Sequence, residues 1–432
     1  MTRPYFPQYL VLAAWLLVTA TAMAQAGPDE RIAALAATPA VENALAAIVA
    51  MEDELHDDLI ELTEIPAPPF QEEQRAARFA EMLIEAGLTE VGIDDVGNVI
   101  GRRPGTSGER TIAYAAHLDT VFPADTDVTV RVDGDVYTAP GVGDNTRGLV
   151  VVLGVLRAMQ RSGIETDADV LFIGNVGEEG LGDLRGVKHL FGDDGPQIDS
   201  MIAVDGGKPG RIVYAGTGSH RYRVTFNGPG GHSWGAFGTA NPHHALGRAI
   251  SIFVEAAPSV TATGEKTTYN VGRIGGGTSI NSIPFESWME VDMRSESQLK
   301  LDEIDVVFQE AVAEGLLEEN AARLEGPALT VDVERVGTRP AARSDTNAGL
   351  VEVASAALRY LGQEPTLEIS STDANIPISL GIPAITMSRG GVGRNSHSPD
   401  ESWQNVNGYI GIQAGLLTLL AEAGLAGVAD RD

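Results

Sequence analysis

Residues 168–182 read ADVLFIGNVGEEGLG, an apolar run that stops at two adjacent glutamates, Glu178 and Glu179, set between glycines. A strand that is apolar along its whole length is buried on both faces, which is the habit of strands inside a parallel sheet. Two neighbouring carboxylates at the end of such a strand repel each other, and a plain solvated turn gains nothing from the pair. Outward from this stretch the same punctuation recurs. TIAYAAH (111–117) is a second apolar run and ends on His117, with Asp119 two residues on. GLVVVLGVLRAMQRSG (148–163) has helical character and lies between the two runs, and SMIAVDGG (200–207) is a third strand that closes on Asp205. Strand, helix and strand in alternation predict an α/β fold, a mostly parallel sheet with helices on both faces. In such sheets the functional loops gather at the carboxyl ends of the strands.

Farther out the pattern changes twice. Residues 25–40 are small and polar, which predicts a flexible lead-in, and helical periods begin at about Val41 and return in EEQRAARFAEMLIEAGL (72–88). Beyond Tyr214, HRYRVTFNG (220–228) alternates as a half-exposed strand, and NPHHALGRAISIFVEAA (241–257) reads as a helix. The strands KTTYNVGRI (266–274) and ESWMEVDMRS (286–295) follow, then a helix over 297–317 and the strand ALTVDVERV (328–336). This β-α-β-β-α-β order predicts an inserted ferredoxin-like α+β domain over 217–338. It would divide a catalytic domain into the segments 41–216 and 339–430.

The chain has 432 residues, of which 43% are apolar, enough for a large core and more than one domain. Sixty acidic residues against 30 basic ones give a net charge of -30, which argues against nucleic acid or an anionic membrane surface as partner. Arg3, the apolar YLVLAAWLLVTATA (9–22) and the small-x-small AMA (22–24) have the order of a secretory signal. The apolar part falls short of the ~20 residues of a membrane span. Residues 1–24 are therefore expected to be a cleaved signal peptide, and the mature protein to be periplasmic or secreted without stable membrane association. It contains no cysteine, so no disulfide framework supports it in an oxidising compartment.

Taken singly, the polar strand ends have plain explanations. A histidine such as His117 can be an internally paired core residue, Asp144 in GVGDNTRGL a helix N-cap, and Asp205 in DGG a turn residue. Taken together, His117, Asp119, Asp144, Glu178, Glu179, Asp205 and His397 (in GRNSHSPDE) fall at one predicted edge of the sheet. Histidine nitrogens mixed with carboxylate oxygens suit zinc or a comparable divalent ion.

The series HLDTV (117–121), GVGDNTRG (141–148), GEEG (177–180), VDGG (204–207) and SHSPDE (396–401), with the insertion between the last two, resembles the M20 zinc metallopeptidases. That family includes peptidase T, the aminoacylases and the succinyl-diaminopimelate desuccinylases. The resemblance implies two zinc ions per chain, replaceable by cobalt or manganese, bridged by Asp144. His117 and Asp205 would complete one site, Glu179 and His397 the other. Asp119 would fix the His117 ring and Glu178 would be the general base. The resemblance also implies that His232, in NGPGGHSWG (227–235), reaches across a homodimer to the partner's site, that Asn281 and Arg294 hold substrate, and that the Asp144–Asn145 peptide is cis. Asp373, in STDANIPISLGIPA (371–384), lies in a matching stretch but acquires no role, and the local sequence Asn145–Thr146–Arg147 departs from that of many members. Aspartate at position 205 is typical of the family's aminopeptidases and dipeptidases, glutamate of its carboxypeptidases and deacylases. An exopeptidase acting on short peptides is expected, with N-acyl amino acid amidohydrolase or carboxypeptidase action as the alternative. A competing motif, GHSWG (231–235), fits G-x-S-x-G, and Ser233, Asp373 and His397 follow the α/β-hydrolase order. That reading requires a strand, a tight turn and a helix around Ser233, whereas loop sequence flanks it.

Overall fold

The apolar runs form the middle of a mixed sheet. Strand Thr111–His117 pairs in parallel with Asp169–Asn175 on one side and Ser200–Val204 on the other, and Ala384–Met387 extends the parallel set. Antiparallel strands flank it: Val99–Arg103 and then Glu90–Ile93 at one end, Arg211–Gly216 beside Ala384–Met387 at the other. The computed structural model describes residues 27–346 and 349–427, so the expected signal segment, 1–24, lies outside the described residues.

Every residue of strand Asp169–Asn175 is buried. Because successive side chains point to opposite faces, both faces of the sheet's centre are covered, as the unbroken apolar run predicts. Ile112, Tyr114, Val170 and Phe172 join one core with Leu149, Leu153 and Leu156 of helix Gly148–Arg161. That helix is buried from Gly148 to Met159, which explains its nearly all-apolar sequence. The register sets His117 beside Asn175, so the carboxyl ends of the parallel strands share one edge, with Asp205 directly after Val204.

From Pro28 onward the expected lead-in is instead helical. Helices Pro28–Ala36 and Pro39–Ala50 each begin with proline in the first turn, where its missing N–H costs nothing. Ile32 and Ala36, one helical turn apart, are buried, and Arg359 grips Asp29 through two hydrogen bonds. Ile32 and Ala36 anchor the first of these helices to the core although Ala33, Ala34 and Ala37 are exposed, so the small residues there do not mark a flexible segment.

The chain divides into two units, the second made of Ala215–Arg343 and Ile369–Gly381. It contains a four-stranded antiparallel sheet in the order Thr267–Gly276, Glu286–Ser295, Gly218–Asn227, Thr330–Arg339, the ferredoxin-like arrangement. Phe253 of helix Pro242–Ala256 and Phe308 of helix Gln298–Ala322 pack with Tyr222, Val224, Phe226, Met289 and Val291 in its own core. The sequence reading left 369–381 with the catalytic part. The structure assigns it to the second unit for a local reason: Asn375 Nδ2 donates to the carbonyls of Thr217 and Pro340, and Thr217 N donates to Ser370 O.

Candidate metal centre

Four loops of the first unit bring the carboxylates and imidazoles together. His117 ends its strand, Asp144 lies in the turn before helix Gly148–Arg161, Glu178 and Glu179 follow strand Asp169–Asn175, and Asp205 follows Ser200–Val204. His397 comes from the turn between the paired strands Val392–Arg394 and Ser402–Gln404 and adopts a left-handed backbone, φ 66°. Ligating atoms of His117, Asp144 and Asp205 lie within 4.8 Å of one another, as do those of Asp144, Glu179 and His397, and those of His117, Glu178 and Glu179. Asp144 belongs to two of these groups. Its Oδ1 lies 3.5 Å from His117 Nε2 and its Oδ2 lies 3.4 Å from His397 Nε2, which is 2.8 Å from Glu179 Oε1. The Asp144–Asn145 peptide is cis, as the resemblance implies.

The donor set fits a divalent cation. His117 Nδ1 lies 3.0 Å from the Asp119 carbonyl, which leaves Nε2 facing the carboxylates, buried and without a hydrogen bond. A buried ring nitrogen in that condition is costly unless something cationic meets it. The surroundings favour positive charge there. Burial pushes the His117 ring towards neutrality, but the Asp119 and Asp144 carboxylates raise its pKa well above the ordinary value. His397 is raised to about 10 by Asp144 and Glu179. Burial disfavours ionisation of Asp144, yet His117, His397 and Arg389 hold its carboxyl well below the usual range. Entry of a metal would therefore displace protons from both rings.

Asp119 divides its labour differently from the expectation. Its backbone carbonyl is the closer partner of His117, with the carboxylate 3.6 Å away. The fully buried carboxylate accepts the peptide N–H groups of Glu178, at 3.0 Å, and Glu179, at 2.7 Å. One aspartate thus fixes the two glutamates to the neighbouring strand.

Three residues that sequence reasoning missed complete the frame. Buried Glu401 accepts the N–H groups of Gly141, Gly143 and Asp144 at 3.2, 2.9 and 2.6 Å, so it grips the backbone that presents Asp144. Arg75 donates to the carbonyls of Ile65 and Leu118, bracing the chain between His117 and Asp119. Arg389, 2% exposed, lies 3.5 Å from Asp144 and 3.4 Å from Asp205. It stands just past strand Ala384–Met387, the kind of position that singled out Asp205, so the signal was present in SRGG. For Glu401 and Arg75 no local signal exists.

The remaining predicted residues lie in the second unit. The short ribbon Gly231–His232 with Ser282–Ile283 sets His232 opposite Ser282, next to Asn281, and Ser233 N donates to Asn281 O. His232 is exposed, and its Nδ1 accepts from Trp234 N and Gly235 N, so in the neutral ring the proton is on Nε2. Arg294 is not brought to that ribbon. It stands near the far end of strand Glu286–Ser295 and donates to Asp292 at 2.7 Å. Asp373 is buried just before helix Asn375–Ser379. Ser233 follows a two-residue strand in an exposed turn, and the next helix starts only at Pro242, so the strand–turn–helix elbow of a serine hydrolase is missing around it.

Comparison with known proteins agrees with this geometry. The profile of peptidase family M20/M25/M40 matches residues 113–420. An uncharacterized Bacillus subtilis protein, YqjE, is 27% identical over 357 residues, 78% of this chain and 91% of its own. A succinyl-diaminopimelate desuccinylase of Corynebacterium glutamicum is 25% identical over 335 residues, 76% of this chain and 86% of its own. Among solved structures, aminopeptidase PepT of Bacillus cereus shares the fold with a TM-score of 0.68 at 23% identity, covering 86% of this chain and 98% of the other.

Proposed function

The chain belongs to peptidase family M20/M25/M40, and from that premise we propose that it is an exported di-zinc exopeptidase acting on short peptides. It is a metal-dependent hydrolase by family. The observation that carries the finer reading is the meeting of ligating atoms around a shared Asp144, each group within 4.8 Å, with an unpartnered His117 Nε2 among them. His117, Asp144 and Asp205 would hold one ion, and Asp144, Glu179 and His397 the other. Ions bound there would polarise a scissile carbonyl and lower the pKa of a water. Glu178 stands beside both ligand sets without being needed in either, and would take a proton from that water and return it to the departing amine. Asp119 keeps Glu178 and Glu179 in place through their peptide N–H groups, so the base need not reorganise as it works. His232, acting across a homodimer, would donate from Nε2 to the carbonyl oxygen as that oxygen gains charge.

Asp205, where deacylases of the family carry glutamate, supports preference for a free α-amino group. The named activity of the Corynebacterium relative favours a second reading, hydrolysis of an N-acyl amino acid. The two readings separate in one assay. Zinc-loaded enzyme is given matched free and N-acylated dipeptides. Faster turnover of the free peptides is expected; faster turnover of the acylated ones would select the second reading. Export predicts that intact-mass measurement finds Gln25 as the first residue of the mature protein, and retention of Met1 on a membrane-bound form would sink it.

A further inference from the structure

The mechanism just described makes no use of Arg389, although its guanidinium is among the most deeply buried charges of the first unit. Glycines make room for it: a Cβ added at Gly143 or Gly393 would come within 3.1 Å of its Nη2, and one at Gly207 within 3.6 Å. Its backbone N–H donates to Gly206 O, tying it to the loop of Asp205. Among the described residues its ion pairs run to Asp144 and Asp205, and to neither Glu179 nor His397.

This asymmetry has an electrostatic consequence. Each ion position has one imidazole and two carboxylates, with Asp144 common to both. One of them alone has a permanent cation against both of its carboxylates. A guanidinium does not deprotonate at working pH, and a buried charge is little screened by salt. We propose that Arg389 is a fixed counter-charge that makes the two ion positions unequal, the His117–Asp144–Asp205 position being the weaker. The proposal rests on the two-ion reading above. It deepens that reading by predicting a tightly held ion at Asp144–Glu179–His397 and an exchangeable one beside Arg389. In the metal-free protein the same guanidinium partly offsets the repulsion of Asp144 and Asp205, keeping the site assembled before ions enter.

The test is a zinc titration of the metal-depleted full chain against a chromophoric chelator, with bound zinc counted by elemental analysis. Wild type should bind two ions, the second at least about tenfold more weakly, given a like charge a few ångströms away in a poorly screened site. In Arg389→Gln the weaker step should tighten by about the same factor, while Arg389→Lys, which keeps the charge, should retain most of the gap. Asp205→Asn, which leaves Arg389 in place, should remove the weaker step and spare the tighter one. Circular dichroism on each variant establishes that it is folded, and the Asp205 variant keeps the proposal testable if Arg389→Gln is not. An unchanged or further weakened second step in folded Arg389→Gln would overturn the proposal, as would loss of the tighter step in Asp205→Asn. Two ions of equal affinity in wild type would sink this inference alone, whereas a wild type that binds no zinc would sink the two-ion reading beneath it.

Discussion

Glu178 and Glu179 share a peptide bond, yet the proposed chemistry asks different things of them. Glu179 Oε1 faces His397 Nε2 at 2.8 Å and groups with Asp144, whereas Glu178 groups with His117 and Glu179 but not with His397. Replacing Glu179 with alanine removes a ligand, so zinc content should fall together with turnover. Glu178→Gln keeps the shape but removes the proton acceptor. Zinc content should stay near that of wild type while kcat drops by roughly 10²–10⁴, the usual worth of general acid–base catalysis. Zinc stoichiometry and kcat measured on both variants decide the matter, and loss of zinc from Glu178→Gln with retention in Glu179→Gln would reverse the assignment. The ligand candidates were legible in the sequence because each ends or follows an apolar strand or lies in a loop at the same predicted edge of the sheet. The second role of Asp119 was not. Its carboxylate meets the two glutamates only because strands Thr111–His117 and Asp169–Asn175 are neighbours in parallel register, a fact of tertiary pairing.

At the scale of elements, periodicity revealed most of the architecture, including the β-α-β-β-α-β order of the second unit. It could not reveal what joins helix Gln298–Ala322 to its sheet. Asp305 on that helix meets His220 Nδ1 at 3.0 Å, Tyr222 Oη at 2.9 Å and Arg335 Nη2 at 2.7 Å. Arg335 lies at an irregularity in the pairing of strand Thr330–Arg339, between Arg335 and Gly337, and such bulges re-aim side chains. In sequence, Asp305 looks like one more solvated acid on an amphipathic helix. Burial pushes its carboxyl up, but the nearby His220 ring, with hydrogen bonds from Gln309 and Tyr222, outweighs that and holds it below the ordinary 3.8. A carboxyl lowered in the folded state contributes stability above its unfolded pKa, and that contribution is lost as pH falls through the folded value. Asp305→Asn should therefore cost about 2–3 kcal/mol at neutral pH, because buried His220 and Tyr222, together with the more exposed Arg335, lose a charged neighbour. The difference from wild type should shrink below pH 3.8. Urea denaturation of both proteins at pH 7 and near pH 2.5 measures it, and an equal difference at the two pH values would refute a role for the charge.

At the scale of the whole molecule, the roles proposed above fall on residues of both units. Glu178 and the ion ligands belong to the first; His232 and Asn281 belong to the second. Action of His232 in trans across a homodimer has a consequence that a monomeric enzyme cannot imitate. Glu178→Gln chains lack the base but carry an intact His232, while His232→Ala chains lack the donor but carry an intact Glu178. Each variant alone should be nearly inactive. When the two are mixed and allowed to exchange subunits, half of the dimers are mixed in a two-fold assembly of equal partners, and each mixed dimer holds one complete site. Activity should then rise to about a quarter of the wild-type value per chain. If His232 serves the site of its own chain, no mixture contains a complete site, and exchange restores nothing. Sedimentation of the mixture, run beside the assay, shows whether dimers form at all. A fully active wild-type monomer would remove the trans role without touching the ion site.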